Sequence, residues 1–166
     1  MVKQTADAAD RAILRTLIDD PTATGVQISE RTGLARNTVR TRLNRYETEP
    51  ALLPFEHRIA PAFLGFPLRA YVTTTVIQRE LDAVGEALAS IPEVLEVSGV
   101  AGGADLIILI VARDTDDLYR VAGAILDIPG VVRTETGLVM RELVPYRAAQ
   151  LVDDGEADAV RRRAQS

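Results

Sequence analysis

Guanidinium groups crowd one short stretch: Arg31, Arg36, Arg40, Arg42 and Arg45 occur with no acidic residue between them. A planar guanidinium donates in parallel to two acceptors, which suits phosphate oxygens or the O6/N7 edge of guanine. Asn37, in the same stretch, offers the donor–acceptor pair that matches adenine. A second string, Ala101-Gly102-Gly103-Ala104-Asp105, carries different chemistry. Its glycines permit close backbone approach, so N–H groups there can meet a carboxylate, while Asp105 can accept from an ammonium group. The same string also suits a hairpin turn, which from the residues alone is the simpler reading. Acid–base and metal chemistry have little to work with. There is no cysteine, and the one histidine, His57, stands between Glu56 and Arg58 in a proline-rich stretch. No catalytic residue, cofactor or metal site is expected.

These groups need positioning by something, and composition bounds what. The chain has 166 residues, 47% hydrophobic and 26% charged, which suits one or two small soluble domains. Domains of roughly 60 and 80 residues bury limited cores, so contacts between copies are expected to supplement them. The net charge of −5 argues against nucleic acid only as an average; nucleic acid responds to local distribution, and here the basic residues are concentrated. The run Leu106 to Ala112 is too short to cross a bilayer, and MVKQTADAADR lacks the apolar core of a signal peptide. A soluble, cytoplasmic protein without a membrane partner is expected.

Along the chain, Ile13, Leu14, Leu17 and Ile18 recur at helical spacing, with Asp7 able to cap and Pro21 ending the segment near Asp19. Thr24 and Gln27 have capping-box spacing for a second helix, which Gly33 closes. A third helix runs from Ala35 to about Thr48, with Val39, Leu43 and Tyr46 inward and Arg36, Asn37, Arg40, Thr41 and Asn44 outward. Prolines 50, 54, 61 and 67 forbid a long helix over 51–67, which reads as a linker with a short strand near Phe55. Beyond it lie two similar halves. Strand 68–77, helix 80–91 and a strand to Val100 are followed by strand 106–111, helix 115–128 and a strand to about Val144. Each helix ends in Ile-Pro-x-Val, at 91–94 and 128–131. The pattern is α+β, with a C-terminal βαββαβ, ferredoxin-like domain over 68–146. Two helices cover one face of such a sheet, so the other needs a partner, and a second copy is the simplest. Asp82, Glu86 and Glu93 read as solvated charges. The segment 147–166, ending in Arg161-Arg162-Arg163, reads as a flexible or weakly helical tail.

Several segments, in order, carry a resemblance. DAADRAILRTLIDD at 7–20, ISERTGLARNTVRTRLNRYE at 28–47, PAFLGF at 61–66, IPEVLEVSGVAGGADLIILI at 91–110 and IPGVVRTETGLVM at 128–140 together resemble the Lrp/AsnC, or feast/famine, regulators. The resemblance implies a three-helix, winged-type helix-turn-helix over 1–50 that binds double-stranded DNA. It also implies a ligand and oligomerisation domain, dimers that assemble further, to an octamer for example, and an effector, an amino acid above all, bound between dimers. Departures are Ala35, where the family often has Ser, Pro50 and Pro54 in place of hinge glycines, and Ala101, where Thr or Ser is common.

On that reading the third helix enters the major groove. Arg40 or Arg36 meets guanine and Asn37 meets adenine, with Thr41 on the same face; Thr38 and Arg42 or Arg45 hold phosphates. The ordinary alternative for such a face is plain solvation. The effector would meet Ala101, Gly102, Gly103 and Asp105, with Thr134 and Thr136 contributing by resemblance. Two rivals stand beside this regulator. One is an enzyme like the sirohaem decarboxylases, which share the two-domain plan but need more histidine than His57. The other is a non-specific architectural DNA-binding protein.

Overall fold

The computed structural model describes residues 5–48 and 51–153. These fall into two units: the residues up to Pro54 together with those from Val144 onward, and Phe55–Leu143. Most of the expected linker thus segregates with the sheet, and the chain passes between the units twice.

In the first unit, helix α1 spans Ala8–Asp19 and starts where Asp7, in extended backbone, accepts from the Asp10 N–H at 2.9 Å. Asp10 returns the favour by accepting from the Asp7 N–H, which completes a capping box. Helix α2, Gly25–Thr32, opens on the Thr24/Gln27 box and closes at Gly33, whose φ of 72° is left-handed. Helix α3, Arg36–Thr48, follows after three residues. Ile13, Ile28, Val39 and Tyr46 form the core, with Leu14, Leu17, Leu34 and Leu43 packed around it. Among the described residues no strand belongs to this unit, so no wing accompanies the three helices. The unit also includes residues 149–153, which are helical. Arg11 on α1 donates to the carbonyls of Leu151 and Val152 at 2.7 and 3.0 Å, and Arg15 pairs with Asp153 at 2.9 Å. The beginning of the tail is therefore ordered against α1. The rest, 154–166 with Arg161–Arg163, lies outside the described residues, as does Pro50.

The second unit begins with a correction. No strand forms near Phe55; Phe55–Arg58 and Pro61–Leu64 are 3-10 turns. Prolines 54 and 61 cannot donate to a ladder, and i to i+3 bonds from Ile59 N–H to Glu56 O and from Phe63 N–H to Ala60 O serve the backbone instead. Strand β1 is Leu68–Val76. After a 3-10 turn at Gln78–Glu80 come helix α4, Leu81–Ala89, and strand β2, Val94–Gly99. Strand β3, Leu106–Ala112, helix α5, Thr115–Leu126, and strand β4, Val131–Leu138, complete the unit. The sheet order β2-β3-β1-β4, antiparallel throughout, is that of the ferredoxin-like fold. β4 stops six residues before Val144. Val139 N–H still reaches Arg69 O at 2.8 Å, but β1 begins at Leu68, after a proline, and offers no further partner.

Register assigns the faces. Ala70 pairs Ile110 and Leu138, Val72 pairs Ile108 and Thr136, and Thr74 pairs Leu106 and Thr134. Ala70, Val72, Leu106, Ile108 and Ile110 of this set are buried with Val84 and Leu88 of α4 and Val121 and Ile125 of α5. The opposite face carries Tyr71, Ile107, Leu109 and Val111, and neither α4 nor α5 covers it; Tyr71 is 40% exposed, whereas Val111 is buried near the 55–66 segment. The two Ile-Pro-x-Val corners are alike: Val94 N–H bonds Ile91 O and Val131 N–H bonds Ile128 O, each at 3.0 Å. Glu93, expected to be solvated, is 7% exposed, because this corner tucks it beneath α5, where Arg120 pairs with it at 2.5 Å. Among the described residues no helix is long and apolar enough to cross a membrane.

Candidate nucleic-acid interface and effector loop

The α3 side chains divide by period. Val39 and Tyr46 are buried, whereas Arg36, Asn37, Arg40, Thr41 and Asn44 are exposed and Thr38 is half-buried. Arg40 donates to Asn37 Oδ1 at 3.2 Å, a one-turn pair that aligns its guanidinium with the Asn37 amide. Among the described residues no carboxylate pairs with Arg36 or Arg40. Their donors are open to whatever approaches that face.

Arg42 and Arg45, expected on phosphate, are engaged elsewhere. Arg42 meets Asp7 at 2.7 Å and Asp10 at 2.9 Å, and Arg45 meets Asp10 at 2.6 Å. Tyr46 OH donates to Asp10 Oδ1 at 2.7 Å. The physical reason is the packing of α3 on α1, which brings both guanidiniums over the capping carboxylates. Asp10 is 1% exposed. Burial by itself would raise its pKa, but hydrogen bonds from Tyr46, Arg45, the Asp7 N–H and Arg42 outweigh that and hold it well below the usual carboxylate range. Burial, then the Asp10 carboxylate, push Tyr46 well above the usual phenol range. Sequence reasoning missed this hub. The available signal was Asp7 and Asp10 at capping-box spacing, with the second acid on the inward side of α1.

At one end of the sheet, the loop after β2 places Ala101, Gly102 and Gly103 in solvent, with Gly102 at φ 145°. Asp105 is not free. Its Oδ2 accepts from Val76 N–H at 2.9 Å and its Oδ1 from the Gln78 amide at 2.8 Å. Its own N–H bonds Thr74 O at 2.9 Å. Thr134 pairs with Thr74 in the β1–β4 ladder, so loop and Thr134 come to the same end, while Thr136 lies two pairs further along. Thr74 is 1% exposed and its hydroxyl has no hydrogen-bond partner. Asp105 thus ties the loop to β1. Asp105→Ala, which strands the Val76 N–H, is expected to cost about 1–3 kcal/mol in chemical denaturation. Slow hydrogen exchange at Val76, unchanged in the variant, would contradict that role.

His57 lines a groove of about 550 Å³ over the uncovered sheet face, with Ile59, Leu64, Leu109 and Val111 among its walls. Among the described residues no cluster of His, Cys, Asp or Glu suits a metal ion.

Comparisons with known proteins follow this division. The Lrp/AsnC ligand binding domain profile matches residues 69–149, and a winged helix-turn-helix DNA-binding profile matches 7–49. The HTH-type transcriptional regulator FL11 of Pyrococcus horikoshii is 30% identical over 135 residues, covering 81% of this chain and 89% of that protein. Among solved structures, E. coli AsnC superposes with a TM-score of 0.79 at 20% identity, covering 88% of this chain and 99% of its own, a likeness of fold. A feast or famine regulatory protein from M. tuberculosis, complexed with L-methionine, gives 0.75 at 26% identity, covering 87% and 98%.

Proposed function

The chain belongs to the Lrp/AsnC family of transcriptional regulators, and from that premise we propose that it reads a specific DNA site under the control of a small molecule. The observation that carries the reading is the α3 face on which Arg36, Asn37 and Arg40 stand exposed without a carboxylate partner. Arg36 and Arg40 read guanine and Asn37 reads adenine in the major groove, with Thr38 and Thr41 beside them. Arg42 and Arg45 have no part in that contact set. Dimers form through the uncovered sheet face, whose apolar Ile107 and Leu109 are only half-buried and need cover, and assemble further into a ring such as an octamer. The protein works in the cytoplasm, where its DNA is.

The effector is an amino acid or a related small molecule held between dimers at Ala101, Gly102 and Gly103, with Thr134 and Thr136 nearby. A structural relative was solved with L-methionine, which supports that ligand class. Asp105, already accepting two hydrogen bonds, shapes the loop and has lone pairs left for an ammonium group. Regulation requires that the effector bind the assembly's states with different affinity.

Arg40→Ala is expected to weaken binding to the upstream region of the protein's own gene by about 1–3 kcal/mol, roughly 5- to 150-fold, and to relax preference at one base pair. Fluorescence anisotropy titration measures it, and an unchanged affinity removes Arg40 from the reading set. Calorimetric titration against a panel of amino acids tests the effector class; silence across the panel points to another kind of ligand.

A further inference from the structure

We propose that Asp7 and Asp10 set DNA specificity by occupying the two arginines of α3 that would otherwise serve as sequence-blind phosphate contacts. The inference rests on the DNA-binding reading above and deepens it. Four arginines stand on α3, and they are treated differently. Arg36 and Arg40 are exposed and face no carboxylate among the described residues. The Arg42 fork is spanned by two carboxylates, Asp7 on one nitrogen at 2.7 Å and Asp10 on the other at 2.9 Å. Arg45 donates to the remaining Asp10 oxygen at 2.6 Å. Both of these side chains are about three-quarters covered, at 24% and 23% exposure.

A carboxylate presents a guanidinium with the same paired oxygens that a phosphate does. Asp7 and Asp10 therefore fill, from within the protein, the positions DNA backbone would take. The consequence falls unevenly on the two kinds of binding. Phosphate contacts supply essentially all of non-specific affinity, whereas discrimination comes from base edges. Withdrawing two cations lowers the affinity for any duplex while leaving Arg36, Asn37 and Arg40 to read sequence. An arginine-rich helix on a chain of net charge −5 is thereby kept from holding DNA indiscriminately.

Asp7→Asn is the informative variant. The Asp7 side chain is 52% exposed, and Asn caps a helix about as well as Asp, so α1 keeps its start while Arg42 loses one carboxylate. Asp19→Asn, the same charge change at the other end of α1, is the control. Each protein is titrated by fluorescence anisotropy against its own upstream region and against a random duplex of equal length, over a series of salt concentrations.

Asp7→Asn is expected to steepen the dependence of log K on log salt by about one unit, the contribution of one added phosphate contact. Random-duplex affinity should rise by roughly 3- to 10-fold at low salt, and the ratio of specific to random affinity should fall. Asp19→Asn should leave slope and ratio where they were. Asp10→Asn, if it folds by circular dichroism, should steepen the slope further. An Asp7→Asn slope equal to wild type, or equal to that of Asp19→Asn, overturns the inference. So does weaker binding to both duplexes at unchanged slope, since that is the signature of a merely structural acid. Wild-type protein that binds neither duplex overturns the DNA-binding reading itself, and this inference with it.

Discussion

Asp10→Ala is expected to destabilise the helix-turn-helix unit by about 3 kcal/mol, the lower end for breaking a buried ion cluster. The lower end applies because the partner arginines remain 24% and 23% exposed and recover some hydration. The loss is still large for this unit. Its buried hydrophobic core among the described residues is Ile13, Ile28, Val39 and Tyr46, and whole-domain stabilities are only about 5–15 kcal/mol. Alanine also leaves the Tyr46 hydroxyl, buried with its residue at 3% exposure, without its acceptor. Thermal denaturation followed by circular dichroism measures the effect; a loss under about 1 kcal/mol would mean that solvent carries these charges already. The pH dependence has a definite sign. The folded-state pKa of Asp10 is depressed, so its contribution is complete above the unfolded carboxylate value near 4 and is lost as pH falls below it. The gap in stability between wild type and Asp10→Ala should therefore be constant near neutrality and close in acid.

Gly130→Ala is expected to cost about 2–5 kcal/mol, this time in the sheet unit, from two independent sources. At φ 94° an L side chain carries about 1–2 kcal/mol of backbone strain. Its Cβ would also stand 3.0 Å from Val84 Cγ2 and Glu80 Cβ, and 2.7 Å from Glu80 Oε2; overpacking of that kind costs about 1–3 kcal/mol. The Glu80 carboxylate can swing aside, but Val84, 0% exposed in the core, cannot. Urea denaturation would report the loss, and a variant as stable as wild type would mean that the turn has another conformation open to it. The comparison with the first corner is instructive. Glu93 occupies the equivalent place in Ile-Pro-x-Val without a positive φ, and there a side chain is used, to meet Arg120. The two corners share a backbone bond but not an environment.

Local rules made α1 to α3 legible. Asp7, the Thr24/Gln27 box and Gly33 act within one turn of their own residues, and each stands where spacing places it. The β1 face was legible for the same reason, since alternation needs only neighbours. What escaped depends on partners far away in sequence. Arg42 and Arg40 are the same residue two positions apart, and only the approach of α1, 32 residues earlier for the Arg42–Asp10 bond, separates them. Glu93 looked solvated because Arg120 lies 27 residues on. Phe55 looked extended because prolines exclude an α-helix, although they admit the 3-10 turns that form. The commitment of Asp105 to Val76 and Gln78 likewise needed the sheet register.

The double passage between units sets an order of synthesis. Every core residue of the reader, from Ile13 to Tyr46, leaves the ribosome before the sheet is made, while the 149–153 segment that Arg11 and Arg15 hold emerges on the order of ten seconds later at ordinary elongation rates. A nascent chain stalled within the sheet already has α3 and lacks a complete second unit. On the proposed reading, any such fragment that escapes degradation would carry Arg36, Asn37 and Arg40 without the sheet that pairs two copies.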